Sequence, residues 1–207
     1  MKSIATKIAK SKTFGRASLK NAEKKYNIEK AKLVDRFRDH IVTQEIEGGV
    51  SASNESGTLG GKGNLFTYIG FSRGTDPISP VEKALLASGQ VKPARSKTKI
   101  VAGGKKIQKM FRASIPDVTL LRRVSPMPFQ GGRSWLFDIE TGISGFNYYM
   151  YKRFNRGRSG MGLQSKTPVR TGSYRPPTNG YIRKLLGQFI ASFKLTQKFS
   201  YIPVSGG

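Results

Sequence analysis

Between Arg16 and His40 the apolar residues Leu19, Ala22, Tyr26, Leu33 and Phe37, continued by Ile41, recur at steps of three and four with one gap at Lys30. Side chains at that spacing stack along one face of an α-helix, which no strand reproduces. The run therefore predicts a long amino-terminal helix, with Lys24, Lys25, Arg36 and Arg38 on its other sides. A second stripe, Ile182, Leu185, Leu186, Phe189, Ile190 and Phe193, predicts a carboxy-terminal helix from about Tyr181 to Phe193, with Asn179 placed to cap its start.

The segments between them read as shorter elements. The β-branched run Ile41 to Ile46 ends at Gly48-Gly49 and is strand-like. Ser51 to Gly63 is rich in glycine, serine and asparagine and reads as a flexible loop. Leu65 to Phe71 follows, a dense aromatic block too short for a helix of its own, and reads as a strand or an apolar plug. Ser79-Pro80-Val81-Glu82 has the form of a capping box and starts a helix from Pro80 to about Ser88. Lys97 to Val101 and Lys106 to Ile115 flank Ala102-Gly103-Gly104 as a β-hairpin, with Ile107, Phe111, Ala113 and Ile115 on one face. A short helix is expected through Val118, Leu121 and Arg122, then a strand from Trp135 to Glu140, where apolar and polar residues alternate. The sum is an α+β fold: two helices on a small antiparallel sheet, with extended loops and arms. Residues 1–15 read as a mobile basic arm and 16–207 as one domain, with a glycine-rich loop at 48–63 and a basic, aromatic loop region at 142–180.

Charge bears on partners rather than on fold. The chain carries 37 Lys and Arg against 12 Asp and Glu, a formal charge of +25. No acid lies between Glu82 and Asp117 or beyond Glu140, and these stretches hold nine and eleven basic residues. Self-repulsion of that size is most simply retained for a polyanionic partner. No run approaches the ~18 apolar residues of a membrane span, and the first residues lack the apolar block of a signal peptide. Cysteine is absent, which excludes disulfides and thiolate metal sites. The expectation is a protein built inside a cell, without a membrane partner and without a cofactor or metal.

The candidate chemistry is thin. Gly57 to Gly63 resembles a phosphate loop but is one residue short, and Gly63 stands where a hydroxyl should hold magnesium. Asp117 with Asp138-x-Glu140 resembles part of a metal-dependent nuclease pattern, yet Glu140 replaces the lysine that would support the attacking water. Glu45 and Glu47 are another spaced carboxylate pair, and His40 is the only histidine. The inventory reads as non-enzymatic. Tyr149, Tyr151, Lys152, Arg153, Arg156, Arg158, Lys166, Arg170 and Arg175 interleave aromatics with cations, which suits either nucleic-acid contact or a seam between subunits.

Val42-Thr43-Gln44-Glu45-Ile46-Glu47-Gly48-Gly49, Ser56-Gly57-Thr58-Leu59-Gly60-Gly61, Asn64 to Phe71 and Gly142 to Tyr149 follow one another in an order that resembles the neck and tail-completion proteins of tailed bacteriophages. The resemblance implies a virion structural protein at the head-to-tail junction, a ring of identical copies around the channel for viral DNA. Portal, adaptor or tail proteins would be its neighbours, and Leu65, Phe66, Tyr68 and Phe71 would reach to adjacent rings. The long basic carboxy-terminal region departs from the smaller members of that family. The alternative reading is a ribosomal or other RNA-packing protein, which shares the charge and the glycine-rich loops.

Overall fold

In the computed structural model, residues 11–59, 63–87, 89–94, 97–101, 104–108, 110–128, 131–141, 149–151, 163–165 and 180–193 are described. The fold is α+β, with seven α-helices and three two-stranded antiparallel ladders among these residues.

Helix α1 spans Lys12–Arg38 and starts four residues earlier than the apolar repeat suggested, because the Ser11 hydroxyl accepts from the Phe14 amide at 3.2 Å. At 1.5 Å per residue it is about 40 Å long. Its buried side chains are Tyr26, Leu33, Val34 and Phe37, all in the second half of the helix.

Three segments depart from the expected strands, for one physical reason. Ile41–Glu47 is helix α2, capped by the His40 ring, and buries Val42, Thr43, Glu45 and Ile46. Leu65–Ile69 is helix α3, capped by Asn64 and ended by Gly70 in the left-handed conformation, with all five side chains buried. Trp135–Asp138 is helix α6, continued by a 3₁₀ turn over Ile139–Thr141, and buries Trp135, Leu136 and Phe137. A helix of four to seven residues spans two turns or fewer, too few for a 3.6-residue stripe to register, so β-branched and aromatic content misleads there. Leu65, Phe66, Tyr68 and Phe71, expected to reach toward neighbouring rings, are at most 4% exposed and belong to the chain's own core.

Helix α4, Ile78–Ala87, lies close to where it was expected. Its start is held by Asp76 Oδ1, which accepts from the Ile78 and Ser79 amides at 3.0 Å, instead of by the Ser79–Glu82 box. Glu82 pairs with Arg38 of α1 at 2.6 Å. Strand β1, Val91–Pro93, pairs with β4, Phe111–Ala113, and β2, Lys97–Val101, with β3, Gly104–Gln108. The expected hairpin is thus present, but its second arm is split, and the register is offset by one residue between the two ladders. Phe111, Ala113 and Ile115 are half-buried and alternate with exposed Arg112 and Ser114, while the side chain of Ile107 lies outside the described set. Helix α5, Val118–Val124, is capped by Asp117. Strands β5, Tyr149–Tyr151, and β6, Leu163–Ser165, form the third ladder, and helix α7 spans Ile182–Ser192.

The core forms where α1 meets α4, α7 and the β1–β4 ladder. Tyr26 packs edge-on against Phe189 and stacks on Phe193, with ring centres 5.7 and 5.8 Å away, and Phe37 stacks on Tyr181. Such pairs add about 0.5–1.5 kcal/mol each beyond the area they bury. The Tyr26 hydroxyl donates to the Ser114 carbonyl at 3.0 Å, which ties α1 to the end of β4. Gly89 passes so close that a Cβ there would overlap that hydroxyl, and its φ of +92° also favours glycine.

Candidate functional site

The residues flagged for chemistry fall into two groups, those turned inward and those facing solvent. Glu45 sits on the buried side of α2 and is 2% exposed. Its Oε1 accepts from Asn54 Nδ2 at 2.9 Å and from the Leu65 amide at 2.7 Å, and its Oε2 accepts from the Ser56 amide at 3.0 Å. Asn54 Oδ1 in turn accepts from the Leu59 amide, and Asn64 Nδ2 donates to the Val50 and Ala52 carbonyls. A buried carboxylate is tolerated only when hydrogen bonds replace its water, and here the glycine-rich segment supplies them.

The segment expected as a flexible loop is therefore wound around a carboxylate over residues 51–59. A phosphate-binding loop aims its amides at its ligand. Here the amides of Ser56, Thr58 and Leu59 are spent on Glu45 Oε2, Ser56 Oγ and Asn54 Oδ1. Thr58 and Leu59 are buried, and Gly60 to Lys62 lie outside the described residues. Glu47, two residues beyond Glu45 on the helix, is exposed, so the pair diverges and cannot share a metal ion.

The nuclease-like carboxylates are also engaged. Asp117 Oδ1 accepts from the Thr119 amide at 2.9 Å as the cap of α5. Asp138 lies 3.0 Å from Arg133 Nε. Glu140 Oε1 accepts from the Tyr181 and Arg183 amides at 3.2 and 2.7 Å, and its Oε2 lies 3.0 Å from Arg183 Nε. The group that satisfies the first turn of α7 is therefore Glu140. The side chain of Tyr181, the residue at the cap position, makes no capping bond, and Asn179, the expected cap, lies outside the described residues. Burial pushes both carboxyls up, opposed at Asp138 by Arg133 and Arg122 and at Glu140 by the Arg183 amide and guanidinium. Among the described residues no group of three His, Cys, Asp or Glu is placed to hold a metal ion.

His40 joins α1, α2 and α7. Its Nδ1 accepts from the Val42 amide at 3.3 Å, which leaves Nε2 to carry the proton and donate to the Gly180 carbonyl at 2.9 Å. The ring lies 4.8 Å from that of Tyr181, whose hydroxyl shares a 2.8 Å hydrogen bond with Thr43. Burial holds the imidazole below its ordinary value, the Gly180 carbonyl opposes this, and Lys184 adds to the lowering.

The outward group is cationic. Over residues 12–25 of α1 no side chain is buried, although Ser18, Leu19 and Ala22 are half-covered. This part of α1 carries Lys12, Arg16, Lys20, Lys24 and Lys25 against one acid, Glu23. Of the site residues expected from sequence, Tyr149 and Tyr151 lie on β5, paired with Ser165 and Leu163. Lys152, Arg153, Arg156, Arg158, Lys166, Arg170 and Arg175 lie outside the described residues. Sequence reasoning missed the internal role of Glu45. The signal that could have found it is an acid, Glu45, inside the β-branched run Ile41 to Ile46, followed nine residues on by Asn54, whose side-chain amide can donate. Comparison with protein-family models, with characterised proteins and with solved structures finds no match for the chain.

Proposed function

We propose that the chain is a structural protein of a tailed-bacteriophage particle, placed at the head-to-tail junction as one copy in a ring around the DNA channel. One observation carries the reading: Glu45, Asp117, Asp138, Glu140 and His40 are committed to the chain's own architecture, while most of the described cations are exposed. Glu45 binds α2 to the glycine-rich segment and α3, and Glu140 binds the α6 end to α7. Three of the four segments that carry the resemblance to neck and tail-completion proteins meet in the unit around Glu45. A rigid unit of this kind suits assembly, because neighbours then dock on a preformed surface. The outward charge suits a passage for DNA, since phosphate neutralisation needs no base recognition.

The test is the solution mass by light scattering after nuclease treatment, at low and at high salt. The expected result is a discrete multimer, alone or on a portal-like partner, that persists without nucleic acid. A monomer at both salt concentrations that fails to join such a partner and binds structured RNA would overturn the reading in favour of RNA packing.

A further inference from the structure

Lys12, Arg16, Lys20 and Lys24 stand four residues apart on α1, so they form a spiral ridge that turns about 40° around the helix per step, with a cation about every 6 Å over about 18 Å of helix and one exposed acid, Glu23, beside it. All four are exposed, and none makes a salt bridge with another described residue. The row begins in the first turn of the helix, where the peptide dipole disfavours positive charge and where no acid is present. Farther along the same helix two cations are paired, Lys32 with Glu29 and Arg38 with Glu82, and Lys30 donates to the Leu86 carbonyl at 2.8 Å. Lys12 therefore stands unpaired among the described residues at the place where its own helix opposes it, and the other three cations extend the ridge beyond that turn.

We infer that this row is a docking surface for the sugar-phosphate backbone of double-stranded nucleic acid. A regular one-sign row fits a linear polyanion, and duplex DNA presents a phosphate every ~3.4 Å along each strand. Three of the four residues are lysines, point charges that suit phosphate contact without base recognition. The row lies far in sequence from the basic region at 149–175, and it gives the proposed DNA-lining protein a second, preformed contact. The inference rests on that reading only for its biological setting.

The experiment measures binding of the full-length chain to a duplex DNA of arbitrary sequence, by fluorescence anisotropy at stepped salt concentrations. The combined Lys12→Ala, Arg16→Ala, Lys20→Ala and Lys24→Ala variant is compared with Lys83→Ala, Arg112→Ala, Arg123→Ala and Lys184→Ala, which removes four exposed cations elsewhere. Each phosphate contact contributes about 0.9 to the slope of log affinity against log salt, so loss of the four cations flattens that slope by about 3.6. The second set changes it by less than about 1. A third variant, Lys12→Arg, Lys20→Arg and Lys24→Arg, retains the parent slope and separates loss of charge from loss of helix. Equal slopes for the two alanine sets, or a parent that does not bind the duplex, overturns the inference. So does an equal loss against polyglutamate, which would assign the row to an acidic protein. Light scattering of the row variant without nucleic acid reads ring assembly independently, so failure of this surface and failure of the proposed function give different results.

Discussion

The unit around Glu45 and the amino-terminal half of α1 handle charge in opposite ways. Glu45 is one buried carboxylate surrounded by three donors, and what it holds is the chain itself. The α1 row is four exposed cations with no ion pair among the described residues, on a part of the helix that buries no side chain. The difference teaches where a charge contributes to folding and where it can only contribute to a partner. A desolvated ion is stabilising only through the bonds that replace its water, whereas a solvated one adds little to the fold and remains available for long-range attraction.

The strongest way to break this comparison is to remove the buried acid. Glu45→Ala leaves Asn54 Nδ2 and the Ser56 and Leu65 amides without their acceptor. The expected loss is about 3 kcal/mol, since a buried orphan donor costs roughly 1–3 kcal/mol and of the three only the Leu65 amide is fully buried, while Asn54 Nδ2 keeps Ser56 Oγ at 3.3 Å. Urea unfolding checks it, and a midpoint within error of the parent would mean that the glycine-rich segment does not depend on this carboxylate.

A smaller effect is expected at His40, which lies between the two regions. Because burial lowers its folded-state value, the unfolded imidazole takes up a proton first as the pH falls. Its contribution is therefore complete above the unfolded value of about 6.5 and is lost as pH falls through the lower folded value. His40→Asn keeps a capping side chain and should remove this pH dependence, while His40→Ala should also lose about 1 kcal/mol of capping at every pH. The check is the difference in urea midpoint between pH 7.5 and 5.5 for parent and His40→Asn. Asp138 and Glu140, with raised values, act in the opposite direction and cancel in that difference. An equal pH response in the two proteins would remove His40 as the cause.

The smallest effect sharpens the comparison from the other side. Removing the α1 row as four alanines should leave the urea midpoint unchanged or slightly raised, because alanine is the better helix former and self-repulsion falls. A marked loss of stability would mean that those side chains serve the fold and would blur the contrast with Glu45.

What was legible in the sequence was what repeats. The α1 and α7 stripes and the helix through Leu121 were readable because one face of each meets the core and the other meets water, which writes a period into the residues, and the β2–β3 hairpin was readable from the glycines in the sequence between its arms. The charge surplus was legible for a similar reason, as a sum over residues that needs no coordinates. Helices α2, α3 and α6 were not, since at seven, five and four residues they span two turns or fewer, too few for a helical period to show in the residues. Nor could the sequence assign Glu45 to the Leu65 amide, 20 residues away, or Glu140 to the Arg183 amide, 43 residues away. By itself the sequence determined the long helices, the α+β class and the charge available to a partner, because periodicity and composition are local or additive. Only the tertiary structure decided which polar groups are sealed inside and which remain outside, because desolvation depends on neighbours that the chain brings together from afar.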